Sequence, residues 1–202
     1  LSVTNVITNG VDLEFFKPAV SQEAGSGLVI GSVTNFNWKD KAFGLKLLID
    51  SIKALEMQDL PPTGSKLVIV GNGIYRNEIM DYAGSLALKN VFFRTAKYEE
   101  MPSVYNEFDI YVHASGQEGF SVSILEALAC GKPVVTSSRI TELTSLKAVQ
   151  IVQSREEMIS ALRTLITDVE MRRKLGVVAR REVENYSLRT IANQYLKLYN
   201  TR

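Results

Sequence analysis

From Leu28 onward, short runs rich in β-branched residues alternate with amphipathic stretches, and few folds are open to a chain with that alternation. The runs are LVIGSV (28–33), KLVIVG (66–71), VFFR (91–94), DIYVHA (109–114), PVVTS (133–137) and AVQIV (148–152). Between them, apolar residues recur at helical spacing in GLKLLIDSIKAL (44–55) and VSILEALAC (122–130), and more weakly from Tyr75 to Leu86. Parallel strands need crossover connections, and helices are the usual ones. The expected class is therefore α/β: a Rossmann-like parallel sheet flanked by helices on both faces.

The final third reads as wholly helical. Ser154 and Glu157 have the spacing of a capping box, ahead of an apolar stripe of Met158, Ala161, Leu162, Leu165 and Ile166. Asp168 and Ser187 are further N-cap candidates, and Gly176 is the expected break between two helices. Before the first strand, Asn9-Gly10 and Pro18 punctuate short apolar patches.

Composition excludes more functions than it suggests. A net charge of +1 offers no bulk attraction to nucleic acid, and the single cysteine, Cys130, rules out an internal disulfide. No apolar run approaches the length of a membrane span, and no signal peptide is visible. The expected compartment is cytoplasmic, including the cytoplasmic face of a membrane.

Open parallel sheets bind ligands at the carboxyl ends of their strands, where loops run into helix N-termini. Three such loops carry candidate residues. The first, GSVTNFNWKDK (31–41), offers Gly31, Ser32, Lys39 and Lys41, and lysine is a good point charge for phosphate. The second, VGNGIYRNE (70–78), offers Gly71 and Gly73 but has Arg76 where a dinucleotide fingerprint needs its third glycine, so it also reads as a plain turn. In the third, HASGQEGFSVSILEALACGKP (113–133), the stretch Gly119, Phe120 and Ser121 opens a helix whose free N–H groups suit a diphosphate. Two carboxylates bracket that stretch. Glu126 fits a capping box with Ser123 as well as it fits a ligand site, whereas Glu118 has no such structural role.

His113, the sole histidine, lies in an apolar strand pattern with no cysteine or second histidine near it, so it reads as a core or strand-end residue and no metal site is expected. Cys130 reads as a small buried hydrophobe. Arg172, Arg173, Lys174, Arg180 and Arg181 read as a solvated basic face. A serine nucleophile is unsupported, since residues 116–119 lack the G-x-S-x-G elbow.

The third loop belongs to a longer pattern. YNEFDIYVHASGQEGFSVSILEALACGKPVV (105–135) resembles the donor-site signature of retaining glycosyltransferases of family 4 (glycosyltransferases group 1), which have the GT-B fold. Its core is a glutamate, seven residues and a second glutamate, Glu118 to Glu126, set among Asp109, Ser115, Gly119-Phe120, Ala127 and Gly131-x-Pro133-Val-Val. ITNGVDLEFFKP (7–18) resembles the family's interlobe hinge, and LITDVEMRRKLGVVARREVENYSLRTIANQYLKLY (165–199) its closing helices. The resemblance implies a hinge segment over 1–18 and a nucleotide-sugar (donor) binding domain over 19–202, with the N-terminal acceptor lobe absent.

By the same resemblance Glu118 faces the donor sugar and the reacting centre, and Glu126 holds the ribose hydroxyls. The N–H groups of residues 119–121 cradle the diphosphate, with a basic residue of the first loop beside them. The implied partners are a nucleoside-diphosphate sugar and a glycan or lipid-linked acceptor, the latter bound by the missing lobe, through which peripheral membrane contact would also come. No cofactor, obligatory metal or nucleic acid is implied. The isolated domain is expected to bind nucleotide and turn over little.

The sequence also departs from the family. Gly31-Ser32 stands where Gly-Arg is usual, Ala42 follows Lys41 in place of glycine, and Thr95 or Ala96 replaces a glycine after the third strand. Glu142 matches the family's later glutamate without the glycine-rich turn before it. Alternatives are therefore a nucleotide-sugar epimerase or phosphorylase of the same fold, or a catalytically inactive binding or scaffold subunit.

Overall fold

A computed structural model describes residues 6–19, 27–116, 118–138 and 140–200. Its six strands are β1 (Val29–Val33), β2 (Lys66–Val70), β3 (Val91–Arg94), β4 (Ile110–His113), β5 (Val134–Thr136) and β6 (Val149–Ile151). All pair in parallel, in the order β3-β2-β1-β4-β5-β6, as the alternation predicts. The strand order reverses between β1 and β4, where Gly31 lies opposite Val68 on one side and Tyr111 on the other. β3 forms one margin, with Phe92 52% exposed, and three-residue β6 forms the other.

Among the described residues seven helices accompany the sheet: α1 (Lys39–Glu56), α2 (Arg76–Ser85), α3 (Met101–Asn106), α4 (Val122–Ala129), α5 (Arg155–Thr167), α6 (Val169–Glu182) and α7 (Leu188–Asn200). The strands are buried on both faces, which is why they read as continuous apolar runs. On one face Ile30, Leu67, Ile69, Ile110 and Val112 pack against apolar side chains of α1, α2 and α5. On the other, Val68, Val70, Tyr111 and Val134 pack against α3, α4 and α6.

Capping follows the expected residues in three helices. Ser154 Oγ accepts from the Glu157 N–H, while the Glu157 carboxylate reaches back one residue further than a capping box, to the Gln153 N–H. Asp168 accepts from Met171 N–H, and Ser187 Oγ from Thr190 N–H. α4 ends as expected: the Gly131 and Lys132 N–H groups bond back to the Leu128 and Ala127 carbonyls.

Three expectations need correction. Gly176 does not separate helices; it lies inside α6, where a Cβ would sit 2.5 Å from the Gly131 carbonyl oxygen. Its missing side chain lets α6 settle onto the closing turn of α4. The basic run is not one solvated face. Arg172 caps the carboxyl end of α5 by donating to the Leu165 and Ile166 carbonyls. Arg180 donates to the carbonyls of Leu13, Phe16 and Ala129. Finally, α1 begins at Lys39, so Lys39 and Lys41 stand on a helix and not in the loop before it.

Arg180 also explains why the segment before β1 is fixed. Val11 and Phe16 are buried in the same core as α4, and Val11 N–H and C=O pair with Tyr186 and Leu188. Arg180→Ala is expected to cost about 2 kcal/mol, since three carbonyls lose a charged donor. A urea titration checks this: the midpoint should fall with the slope unchanged. An unmoved midpoint would mean that water replaces the guanidinium without loss.

Candidate donor-binding site

The reversal of strand order places the loop after β1 beside the loop after β4, and parallel sheets bind ligands at such a point. Two glycines join the neighbouring loop after β2 to the first. A Cβ on Gly71 would lie 1.9 Å from the Thr34 carbonyl oxygen, and one on Gly73 2.4 Å from the Asn37 nitrogen. Phe36 N–H donates to the Asn72 carbonyl, and Tyr75 N–H to the Phe36 carbonyl. The room these glycines leave is taken up by the protein's own backbone. Gly116 N–H donates to the Asp40 carbonyl, tying the loop after β4 to the first turn of α1.

Glu118 is the centre of the arrangement. Its side chain is only 5% exposed, with Oε1 2.9 Å from Lys41 Nζ and 3.0 Å from His113 Nε2. Burial pushes its carboxyl up, but the hydrogen bonds from His113 and Lys41 more than offset this and hold it below the ordinary value. On the far side of the imidazole, Nδ1 lies 3.2 Å from the Tyr111 hydroxyl and 3.4 Å from Ser123 Oγ. Ser123 Oγ in turn meets Ser121 Oγ at 2.9 Å.

Glu126 belongs to the same neighbourhood through a different partner. The N-cap of α4 is Ser121, so Ser123 lies inside the helix and the expected capping box with Glu126 does not form. The Glu126 carboxylate instead accepts from the Tyr105 hydroxyl at 2.7 Å, and the Tyr105 ring packs edge-on to Tyr111 at 5.6 Å. Burial raises the Glu126 carboxyl above the ordinary range, and the Tyr105 hydrogen bond recovers only part of the shift. Two carboxylates around one tyrosine pair are thus pushed in opposite directions, a pattern found where a site needs two roles.

The remaining candidates fall into two groups. Gly119 is exposed at the mouth, with no atom within 4 Å of where a Cβ would be. Ser121 is buried at the start of α4 and makes no side-chain cap to it, and the helix's first N–H groups face outward from that end. Phe120 is half-buried and packs at 6.2 Å on Tyr186, which anchors the loop. By contrast, Gly31 and Ser32 lie within β1, both buried, and a Cβ on Gly31 would strike the Phe108 ring at 2.2 Å. Lys39 is exposed, with its ammonium 5.5 Å from the Phe43 ring and no part in the Glu118 cluster. Of the two lysines, Lys41 is the one at the site.

His113 was expected as a buried strand-end residue, which it is, and its link to Glu118 was not anticipated. Neither were Tyr105, Tyr111 and Ser123. One signal was present: Tyr111 and His113 are two residues apart in a strand, hence on one face. Among the described residues no group of three or more His, Cys, Asp or Glu side chains could hold a metal ion, and no helix is long and apolar enough to cross a membrane.

Comparison with known proteins bears on the fold and the family. The chain is 32% identical over 149 residues to a putative glycosyltransferase EpsF of Bacillus subtilis (strain 168), covering 68% of this chain and 37% of that protein. It is 29% identical over 141 residues to an Escherichia coli UDP-Gal:alpha-D-GlcNAc-diphosphoundecaprenol alpha-1,3-galactosyltransferase, covering 66% of this chain and 36% of the relative. The chain thus spans little more than a third of the length of these relatives. In fold it matches Anabaena Alr3699/HepE in complex with UDP, at a TM-score of 0.82 and 21% identity over 98% of this chain and 57% of that one. The model of the family described as glycosyl transferases group 1 matches residues 27–168, from the start of the sheet to the N-cap of α6, and the chain belongs to that family.

Proposed function

We propose that this chain is the donor-binding lobe of a retaining glycosyltransferase of the family-4 kind, which moves a sugar from a nucleoside diphosphate to an acceptor held mainly by another lobe. The observation that carries the reading is the Lys41–Glu118–His113 cluster at the mouth of the reversal point, beside the start of α4. The diphosphate would lie across the N–H groups of residues 119–121, with Lys41 turning to it from Glu118. As the bond from anomeric carbon to phosphate oxygen breaks, these groups meet the charge that builds on the leaving diphosphate. They supply the compensating positive charge from the protein itself, and the proposed reaction has no obligatory metal. Glu118 would face the sugar, and Glu126, already anchored by Tyr105, would accept from the ribose hydroxyls.

One relative is named for UDP-Gal and one structural neighbour holds UDP, so UDP and its sugars are the first probes. Calorimetry with UDP, GDP, ADP and their sugars tests the reading, and binding of one family of nucleotides is the expected result. Glu126→Ala should weaken the nucleoside diphosphate that binds by roughly 1–3 kcal/mol, the order of a hydrogen bond to a charged group. Unchanged affinity would remove Glu126 from the ribose.

One observation favours a second reading, an inactive binding or scaffold subunit. Ser32 is buried where the family usually has arginine, and Lys41 is already paired with Glu118. A failure of every nucleotide to bind would select that reading.

A further inference from the structure

We propose that His113 is the positioning residue of Glu118, holding its carboxylate in place when a phosphate group draws Lys41 away. The inference rests on the donor-site reading above and adds to it a division of labour between the two partners of Glu118. Lys41 Nζ is shared between both carboxylate oxygens, 2.9 Å from Oε1 and 3.1 Å from Oε2. Its side chain is 33% exposed and its ammonium rides on a flexible four-carbon stem at the rim, so it can follow an incoming anion.

His113 cannot follow. Its side chain is 7% exposed and it rises from β4, a central strand. Both ring nitrogens are engaged, Nε2 at 3.0 Å from Glu118 Oε1 and Nδ1 at 3.2 Å from the Tyr111 hydroxyl. Tyr111 is in turn fixed by its burial and by the Phe108 and Tyr105 rings at 6.4 and 5.6 Å.

The chain of bonds also selects a tautomer. An ionised carboxylate only accepts, so Nε2 carries a proton, and in the neutral ring Nδ1 accepts from the Tyr111 or Ser123 hydroxyl. A neutral ring with both nitrogens satisfied orients Glu118 without adding a charge that would compete with Lys41 for phosphate. The groups that face this pair are Lys41 on α1, Tyr111 on β4, and Ser123 on α4, with Glu126 of α4 beyond Tyr111.

Because His113 is the sole histidine, its ring nitrogens can be read directly by ¹⁵N nuclear magnetic resonance on this chain. The expected spectrum of the neutral ring has Nε2 protonated and Nδ1 bare. Lys41→Ala, which imitates the departure of the lysine without any ligand, should leave that pattern intact. A ring that flips to the Nδ1–H form, or averages like free imidazole, in Lys41→Ala would overturn the proposal.

In the full-length protein, with the nucleotide sugar identified by calorimetry, His113→Ala should lower kcat about 100-fold and leave KM within about threefold, as expected when a reacting group is misplaced. The acid limb of the rate profile should move to higher pH, because Glu118 loses a donor that holds its carboxyl down. His113→Gln, which can still present an N–H, should recover most of the rate. Loss in KM instead of kcat, an unmoved acid limb, or a glutamine variant no better than alanine would each overturn the role. If no nucleotide sugar binds, the donor-site reading fails, while the ring spectra still decide whether His113 positions Glu118.

Discussion

Glu118→Ala is expected to lower turnover of the full-length protein about 100- to 1,000-fold, the range seen when one preorganised electrostatic group is taken from a reacting centre. The fold should survive. Lys41, a third exposed, can turn to water, and the His113 ring keeps its hydroxyl partners at Tyr111 and Ser123. The stability loss should be about 1–2 kcal/mol at neutral pH, the order of a charge-assisted hydrogen bond. Its pH dependence has a definite sign. The folded carboxyl is held below the ordinary glutamate value of 4.5, so its contribution is present above that value and is lost as the pH falls through the lower folded one. Wild type and variant should therefore differ most at neutral pH and converge in acid. Thermal melts at both ends of the range, alongside initial rates, check the two halves. Near-normal turnover would remove Glu118 from the reaction, and a gap that widens in acid would contradict its ionised pairing.

Gly71→Ala should be the most damaging single methyl group at the site. The backbone there has φ of 153°, outside the range alanine readily adopts, and the added carbon would lie 1.9 Å from the Thr34 carbonyl oxygen. That carbonyl is backbone and cannot swing aside as the end of a side chain could. Backbone strain and overpacking each cost about 1–3 kcal/mol, so a loss of roughly 2–4 kcal/mol is expected. At about 2–4 °C per kcal/mol for a chain of this size, a thermal melt resolves it easily. The loop after β1 leads into α1 and Lys41, so nucleotide affinity should fall with stability. A folded Gly71→Ala variant of wild-type stability and affinity would show that the two loops are free to part.

The fold was legible because it is repetitive. All six strands were marked by β-branched runs, and their burial on both faces made those runs continuous. The helix α3 was missed: Met101–Asn106 is six residues long, with Pro102 at its start, too short for a periodicity to register. Gly176 misled for the opposite reason. A helical glycine usually signals an end, and here it records contact with Gly131, a residue 45 positions earlier that no local window includes. The sequence does not mark the start of α1 at Lys39, because its N-cap, Trp38, carries no capping side chain.

The site was half legible. Glu118 stood out because no local rule explained it, and the spacing to Glu126 linked the pair. Glu126 remained ambiguous, because the sequence cannot show that α4 starts at Ser121 and that the partner of Glu126 is Tyr105, 21 residues upstream. His113 was read as core, which its burial justifies, yet a buried imidazole still has two nitrogens to satisfy. Those partners, one on its own strand and one in the loop beyond, are visible only once β4 and α4 are assembled.

The margins of the sheet bear on how such a chain behaves in crowded solution. An open edge can recruit a strand from another molecule, and long flat apolar edges are the start of aggregates. Here β3 offers four residues with Phe92 outward, bracketed by exposed Lys89 and by Arg94, which is paired to Glu107, and β6 offers three. A foreign strand would find too short a ladder to repay its own ordering, and at β3 it would meet a basic residue at either end. Shortness and flanking charge thus serve as gatekeepers for a sheet whose interior strands are largely apolar.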